Sequence, residues 1–139
     1  MAVLARASAE QLSALWAKAG LDAEHEMVRG PETGLVTVRG RIGGGGSPFN
    51  VGEATVTRAT VRLATGAVGH AYALGRDKEK SRISAVIDAL WQDETLRPKL
   101  TERILTPLAR DLENADAAKC SETAATRVDF FTMVRGEDE

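Results

Sequence analysis

Apolar residues recur at helical spacing near the start and in the middle of the chain. The Ser8 hydroxyl and the Gln11 amide fit a capping box at a helix start, and Gly20 is a natural end for that helix. A second helix is predicted after Asp77, whose carboxylate can cap it. Its apolar stripe is expected to comprise Ile83, Val86, Ile87, Leu90 and Trp91.

A third stretch continues the helical spacing toward the C-terminus. Pro98 and Pro107 stand within it as predicted helix starts or breaks. Residues 116–125 are small and polar, which fits either a frayed helical end or a loop. The apolar positions of this stretch are Leu96, Leu100, Leu105, Leu108 and Leu112.

Alternating apolar and polar residues predict strands in the first half of the chain. Residues 35–41 alternate, with Val36 and Val38 on one face, and Pro31 marks an edge or turn before them. Glycines 43–46 predict an irregular loop after this strand.

A second strand is predicted over residues 53–63, and its apolar pattern changes phase. The change indicates either a β-bulge near Thr57 and Arg58 or a strand covered on both faces, and we favour the bulge.

Thr65 and Gly66 predict a two-residue hairpin loop, which would place Val61 opposite His70. The apolar face of the hairpin would then carry Val61, Leu63, Val68, His70, Tyr72 and Leu74. The opposite face would carry Arg58 and Arg62 beside Gly69, Ala71 and Ala73.

A last strand is predicted over residues 127–134, with apolar residues on both faces. Together these elements predict one α+β domain spanning residues 1–139. Its antiparallel sheet would have four to five strands, with an N-terminal helix and two or three helices inserted before the C-terminal strand.

Composition limits the classes of function. With a formal net charge of -2, the chain lacks the basic excess of nucleic-acid-binding proteins. Cys120 is the single cysteine, which excludes an internal disulfide and a CxxC zinc site. No segment has the roughly 18 apolar residues of a membrane helix, and the N-terminus does not read as a signal peptide. We therefore expect a cytoplasmic protein without nucleic-acid or membrane partners.

Two blocks of the sequence resemble the PhnG family of carbon–phosphorus lyase subunits. They are PFNVGEATVTR, within residues 31–77, and VDFFTMVRG, within residues 125–138. The resemblance implies an obligatory subunit that acts with PhnI, PhnH and PhnL, which together transfer the ribose triphosphate of ATP to methylphosphonate and release adenine. It also implies that PhnJ cleaves the product later, that PhnI holds the nucleosidase chemistry, and that ATP is a substrate of the complex rather than a cofactor of this chain.

Four arginines are the candidate substrate-binding residues: Arg39, Arg41, Arg58 and Arg62. Guanidinium groups match phosphonate and polyphosphate oxygens in pairs. The alternative is ion pairing with Glu53, Asp129 or carboxylates of a partner. A further alternative for the whole chain is a free-standing anion-binding module unrelated to phosphonates.

The remaining candidates have weaker chemistry. His70 could act as a general base, but the predicted hairpin places it on the apolar face. His25 is expected in solvent, and two distant histidines give no metal site. Asn50 and Glu53 fit structural positions. The sequence contains too few reactive side chains in combination for the chain to turn over a substrate by itself. We therefore expect an accessory subunit.

The terminal apolar residues Phe130, Phe131 and Met133 are candidates for an interface with PhnI or for a buried central strand.

Overall fold

The structure of the protein, a computed structural model, describes residues 1–21, 23–42 and 45–127. Its sheet contains β1 (His25–Gly40), β2 (Phe49–Leu63) and β3 (Val68–Leu74) in the order β1-β2-β3, with both neighbouring pairs antiparallel. The α+β class and the N-terminal helix are confirmed.

The strand number is not the predicted four to five, because the described residues form a sheet of three strands. Two of its strands are long, since β1 has 16 residues and β2 has 15. The predicted C-terminal strand falls almost wholly on residues 128–134, outside the described residues.

β1 begins ten residues before the predicted start and contains Pro31 in its interior. A proline cannot donate to a strand ladder, but β1 is an edge strand and its register shifts between Arg29 and Glu32, so Pro31 is accommodated there.

The predicted bulge near Thr57 and Arg58 was wrong. Both residues pair in continuous register with β3, and irregularities of the β1–β2 ladder lie elsewhere. Val56 and Thr57 point to opposite faces, yet both are buried. The phase change therefore reflects a strand that is covered on both faces at this point.

The β2–β3 turn has three loop residues rather than two. Leu63 N–H donates to the Ala67 carbonyl at 2.9 Å, and Gly66 N–H donates to the Leu63 carbonyl at 2.8 Å. Gly66 has φ +89°, as the third position of such a loop requires. The added loop residue shifts the pairing by one, so that Thr60 faces His70 and Val61 faces Gly69.

This shift turns every β3 side chain to the other face of the sheet. Gly69, Ala71 and Ala73 face the core with Ala59, Val61 and Leu63, whereas His70, Tyr72 and Leu74 are exposed. The small residues allow close approach of α3 (Lys78–Leu90), because a Cβ on Gly69 would collide with the backbone of Ala85 and Ala89.

The remaining helices cover the outer side of α3 and the end of the sheet. They are α1 (Ala2–Arg6), α2 (Ala9–Ala19), α4 (Arg97–Leu100) and α5 (Thr106–Ala125), with a π-helical turn at Thr101–Leu105 joining the last two. The wide turn ends two residues before Pro107, which has no N–H to donate. None of the helices in the described ranges combines the length and the apolar character that crossing a bilayer needs.

Local signals placed both ends of α2 and the start of α3 correctly, whereas α1 was not predicted. Ser8 Oγ accepts from Gln11 N–H at 3.1 Å, and Gly20 ends α2 at φ 59°. Asp77 Oδ1 accepts from Lys80 N–H at 2.7 Å and caps α3. Residues 116–125 are the end of α5, so the helical alternative is correct there.

Side chains of α3 and of the turn after it bind the outer edge of β3 at two points. Asp88 Oδ2 accepts from His70 N–H at 2.9 Å, and Gln92 Nε2 donates to the Val68 carbonyl at 2.6 Å. These bonds occupy backbone groups that a further strand would use.

Candidate functional site

The sheet face opposite α3, called the open face below, carries its polar side chains in rows across the strands. Paired residues of antiparallel strands share a face and lie about 5 Å apart. The strand register therefore defines a middle row of Arg29, Thr60 and His70, flanked by Glu32, Arg58 and Tyr72 on one side and by Glu26, Arg62 and Val68 on the other.

Both flanking rows contain an ion pair. The Arg58 guanidinium lies 3.2 Å from a Glu32 carboxylate oxygen, and the Arg62 guanidinium lies 3.0 Å from Glu26. All four side chains are about half exposed, so each pair contributes little stability. Their effect is to hold the two arginines in place along the sheet.

The middle row has a different composition. Thr60 Oγ1 and His70 Nδ1 are 3.1 Å apart and share a hydrogen bond. Arg29 has no ion-pair partner within the described part of the chain. Among the described residues, the cation of this row, Arg29, is therefore not bound to a carboxylate. The ring of His70 beside it is oriented by the Thr60 hydroxyl.

A groove of about 540 Å³ lies over this part of the sheet. Polar side chains of Arg29, Arg58, Thr60, His70 and Tyr72 line it, together with Asp88 at the β3 edge. Met1, Ala2 and Ala5 form an apolar wall. Such a concave surface with convergent donors is suited to holding an anion.

The prediction for His70 was wrong, because the three-residue loop places it on the open face opposite Thr60 instead of on the apolar face opposite Val61. Arg29 was missed because the residues before position 35 show no alternating pattern. Its signal is the Glu26, Arg29, Glu32 spacing, which becomes readable only once the irregular β1 register is known.

The four predicted substrate-binding arginines lie in two places. Arg58 and Arg62 share the open face. Arg39 pairs with Asn50, seven residues along β1 from Glu32 and hence roughly 23 Å from the Arg58 row. Arg39 also follows a register shift of the β1–β2 ladder between Val38 and Arg39, and Arg41 lies just beyond β1.

The far end of the sheet is a two-stranded ribbon formed by residues 34–40 and 49–55, which extends beyond the end of β3. Glu53 lies in it opposite Thr37, whereas the predicted partner Arg58 binds Glu32. Apolar side chains are exposed on this distal ribbon and at its tip: Leu35, Val38, Ile42, Phe49 and Val51.

The candidate interface residues Phe130, Phe131 and Met133 lie outside the described residues, as do Gly43 and Gly44 of the glycine loop.

His25 is not in solvent as expected but forms part of a small polar cluster. Its Nδ1 lies 2.7 Å from the Ala23 carbonyl, and its Nε2 lies 3.2 Å from the Arg82 guanidinium. Arg82 also binds Glu79 through two bonds, at 2.6 and 2.9 Å, and these bonds hold the pKa of the Glu79 carboxyl below its usual range. The saturated bonding of this cluster indicates a structural role that ties β1 to α3.

Comparison with known proteins shows similarity over nearly the whole chain. The profile of a family described as phosphonate metabolism protein PhnG matches residues 1–136. A curated relative from Rhizobium meliloti (strain 1021), the alpha-D-ribose 1-methylphosphonate 5-triphosphate synthase subunit PhnG, is 56% identical over 138 residues. The alignment covers 99% of this chain and 88% of that relative.

Proposed function

The chain belongs to the PhnG family, and from that membership we propose that it is the PhnG-type subunit of an α-D-ribose 1-methylphosphonate 5-triphosphate synthase. One observation carries the proposal: the 56% identity to the synthase subunit extends over 99% of the chain. In this role the chain works with PhnI, PhnH and PhnL to transfer the ribose triphosphate of ATP to methylphosphonate, with release of adenine, upstream of PhnJ.

Within the complex the chain acts as an accessory partner that docks on PhnI and supports its active site. The distal ribbon supports this role, because a two-stranded ribbon with exposed apolar side chains is marginally stable until another surface covers it. Arg39 and Arg41 beside these side chains suit a partner groove rimmed by carboxylates. Phe130, Phe131 and Met133 are the second proposed contact with PhnI.

The alternative role is direct contact with phosphate or phosphonate through the arginines. Arg58 and Arg62 favour it, since both project from the open face toward solvent and retain donor capacity beyond their ion pairs. Arg39 and Arg41 would serve the same purpose only at the distal ribbon.

The test is adenine release from ATP and methylphosphonate by the reconstituted complex. We expect turnover with all subunits, loss of turnover when this chain is omitted, and no turnover by the chain alone. Adenine release by the purified chain alone would contradict the accessory role. Unchanged turnover without the chain would contradict the proposed function itself.

Substituting Arg58 and Arg62 by alanine separates the two roles, with Arg110→Ala on α5 as the charge-matched control. Assembly is followed by co-purification. Lost turnover in an intact complex supports direct contact, whereas lost assembly supports scaffolding.

A further inference from the structure

The geometry of the open face points to a binding site for a tetrahedral phosphoryl or phosphonyl oxyanion at the middle row, with Arg29, Thr60, His70 and Tyr72 as its ligands. The site differs from the four arginines singled out in the sequence. It rests on the proposed function only for the source of the ligand, which is either a phosphonate or the triphosphate of ATP.

Charge is the first argument. The three rows contain Arg29, Arg58 and Arg62 against Glu26 and Glu32, which leaves one positive charge in excess before His70 is counted. Since Arg58 and Arg62 already have carboxylate partners, the excess belongs to Arg29, the cation of the middle row. An oxyanion over this row thus meets an arginine fork that need not give up an ion pair first.

Donor placement is the second argument. The bond of 3.1 Å between Thr60 Oγ1 and His70 Nδ1 fixes the imidazole and leaves Nε2 directed away from the hydroxyl. When the hydroxyl donates to Nδ1, the ring carries its proton on Nε2 and can donate it to a ligand. Tyr72 adds a phenolic donor about 7 Å along the same face of β3.

Enclosure is the third argument. The volume of about 540 Å³ lies within the range of small-molecule sites, and the apolar wall from Met1, Ala2 and Ala5 shields one side from water. Among the described residues, Asp88 is the one carboxylate that lines the groove. Its Oδ2 is already engaged by the His70 amide at 2.9 Å, which holds that oxygen at the strand edge.

The test is a titration of the full-length ¹⁵N-labelled chain, followed by amide shifts, with methylphosphonate, inorganic phosphate, tripolyphosphate and ATP as separate ligands. We expect saturable shifts centred on residues 29, 60, 70 and 72. Tighter binding of tripolyphosphate and ATP would identify the triphosphate as the source, and tighter binding of methylphosphonate would identify the phosphonate.

Arg29→Gln and His70→Gln should each raise the dissociation constant about tenfold, as expected for losing one charge-assisted bond. Both side chains are exposed, so the variants should keep the wild-type spectrum elsewhere. Arg110→Gln, the matched control on α5, should leave the constant unchanged. If His70→Gln disturbs the fold, the dissociation constant of Arg29→Gln alone tests the site.

Three results would overturn the inference: no saturable shifts in the wild-type chain, undiminished binding by Arg29→Gln, or an equal loss in Arg110→Gln. Assembly with the PhnI-type partner is measured on the same variants. A complex that forms and turns over while the isolated chain binds no oxyanion would remove this site and leave the proposed function standing. A chain that binds oxyanions but is dispensable for turnover would contradict the proposed function and leave this site standing.

Discussion

At Gly69 the sheet and the helix above it meet at backbone distance. A Cβ there would collide with the Ala85 carbonyl and the Ala89 amide, neither of which is a flexible side-chain end that could turn aside. Glycine at this position is therefore a packing requirement of the β3–α3 contact.

Gly69→Ala should lower the free energy of unfolding by about 2–3 kcal/mol, because α3 must shift to admit the methyl group. Urea unfolding measures the change. Gly52→Ala is the control, since a Cβ at Gly52 in β2 meets nothing within 4 Å and the change should stay within about 0.5 kcal/mol. Equal changes in the free energy of unfolding for the two substitutions would show that close packing against α3 does not require glycine at position 69.

Single residues also show where sequence reasoning succeeds. Ser8, Gly20 and Asp77 were interpreted correctly because a cap depends on its own residue and on neighbours within three or four positions along the chain. His70 was misplaced because its face depends on the loop length, and the sequence Ala64-Thr65-Gly66 fits a two-residue and a three-residue loop equally well.

Between elements, Lys80 links α3 to α1. Its side chain is only 8% exposed, and Nζ donates to the Ala5 carbonyl near the end of α1 at 2.7 Å. Burial lowers the pKa of the Lys80 ammonium, an effect that Asp77 partly opposes.

The lowered pKa makes stability depend on pH at the alkaline end. At pH values between the folded pKa of Lys80 and its unfolded value of about 10.4, the unfolded chain binds more protons than the folded chain. The free energy of unfolding therefore rises with pH in this window and levels off above the unfolded pKa. Lys80→Met keeps the apolar stem and should lack this rise. Urea unfolding from neutral to alkaline pH checks it, and parallel pH profiles for the two proteins would contradict the assignment.

Elements of the sheet were harder to predict than helices. Residues 25–34 lack regular alternation because β1 carries one extra residue near Val28 and another near Pro31. Each extra residue reverses the face to which simple alternation would assign the side chains that follow it. Arg29 therefore could not be assigned to the open face, and the middle row of the candidate site was invisible in the sequence. Arg58 and Arg62, in the regular part of β2, were assigned to one face correctly.

For the whole molecule, the distal ribbon is the part whose stability is least self-sufficient. Leu35 is 63% and Val51 60% exposed, and within the described residues the strands there pair only with each other. The described residues thus place the core around α3 and leave the ribbon as an extension of it.

Leu35→Asp and Val51→Asp should leave the chain folded but reduce co-purification with the PhnI-type partner at least about tenfold, since each buries a charge in the proposed contact. Val28→Asp, an exposed apolar residue at the other end of β1, is the matched control and should assemble normally. Assembly that survives both ribbon substitutions would place the contact elsewhere.

The bonds from Asp88 and Gln92 to β3 have a consequence for self-association. A filament built by joining sheets side by side needs a donor edge and an acceptor edge on every copy. In the described residues these side chains occupy two ladder groups of β3, whereas β1 and residues 49–54 of β2 have no second strand neighbour. Strand addition is therefore hindered at β3, and a partner that covers the distal ribbon would also cover the strand groups through which copies of the chain could join.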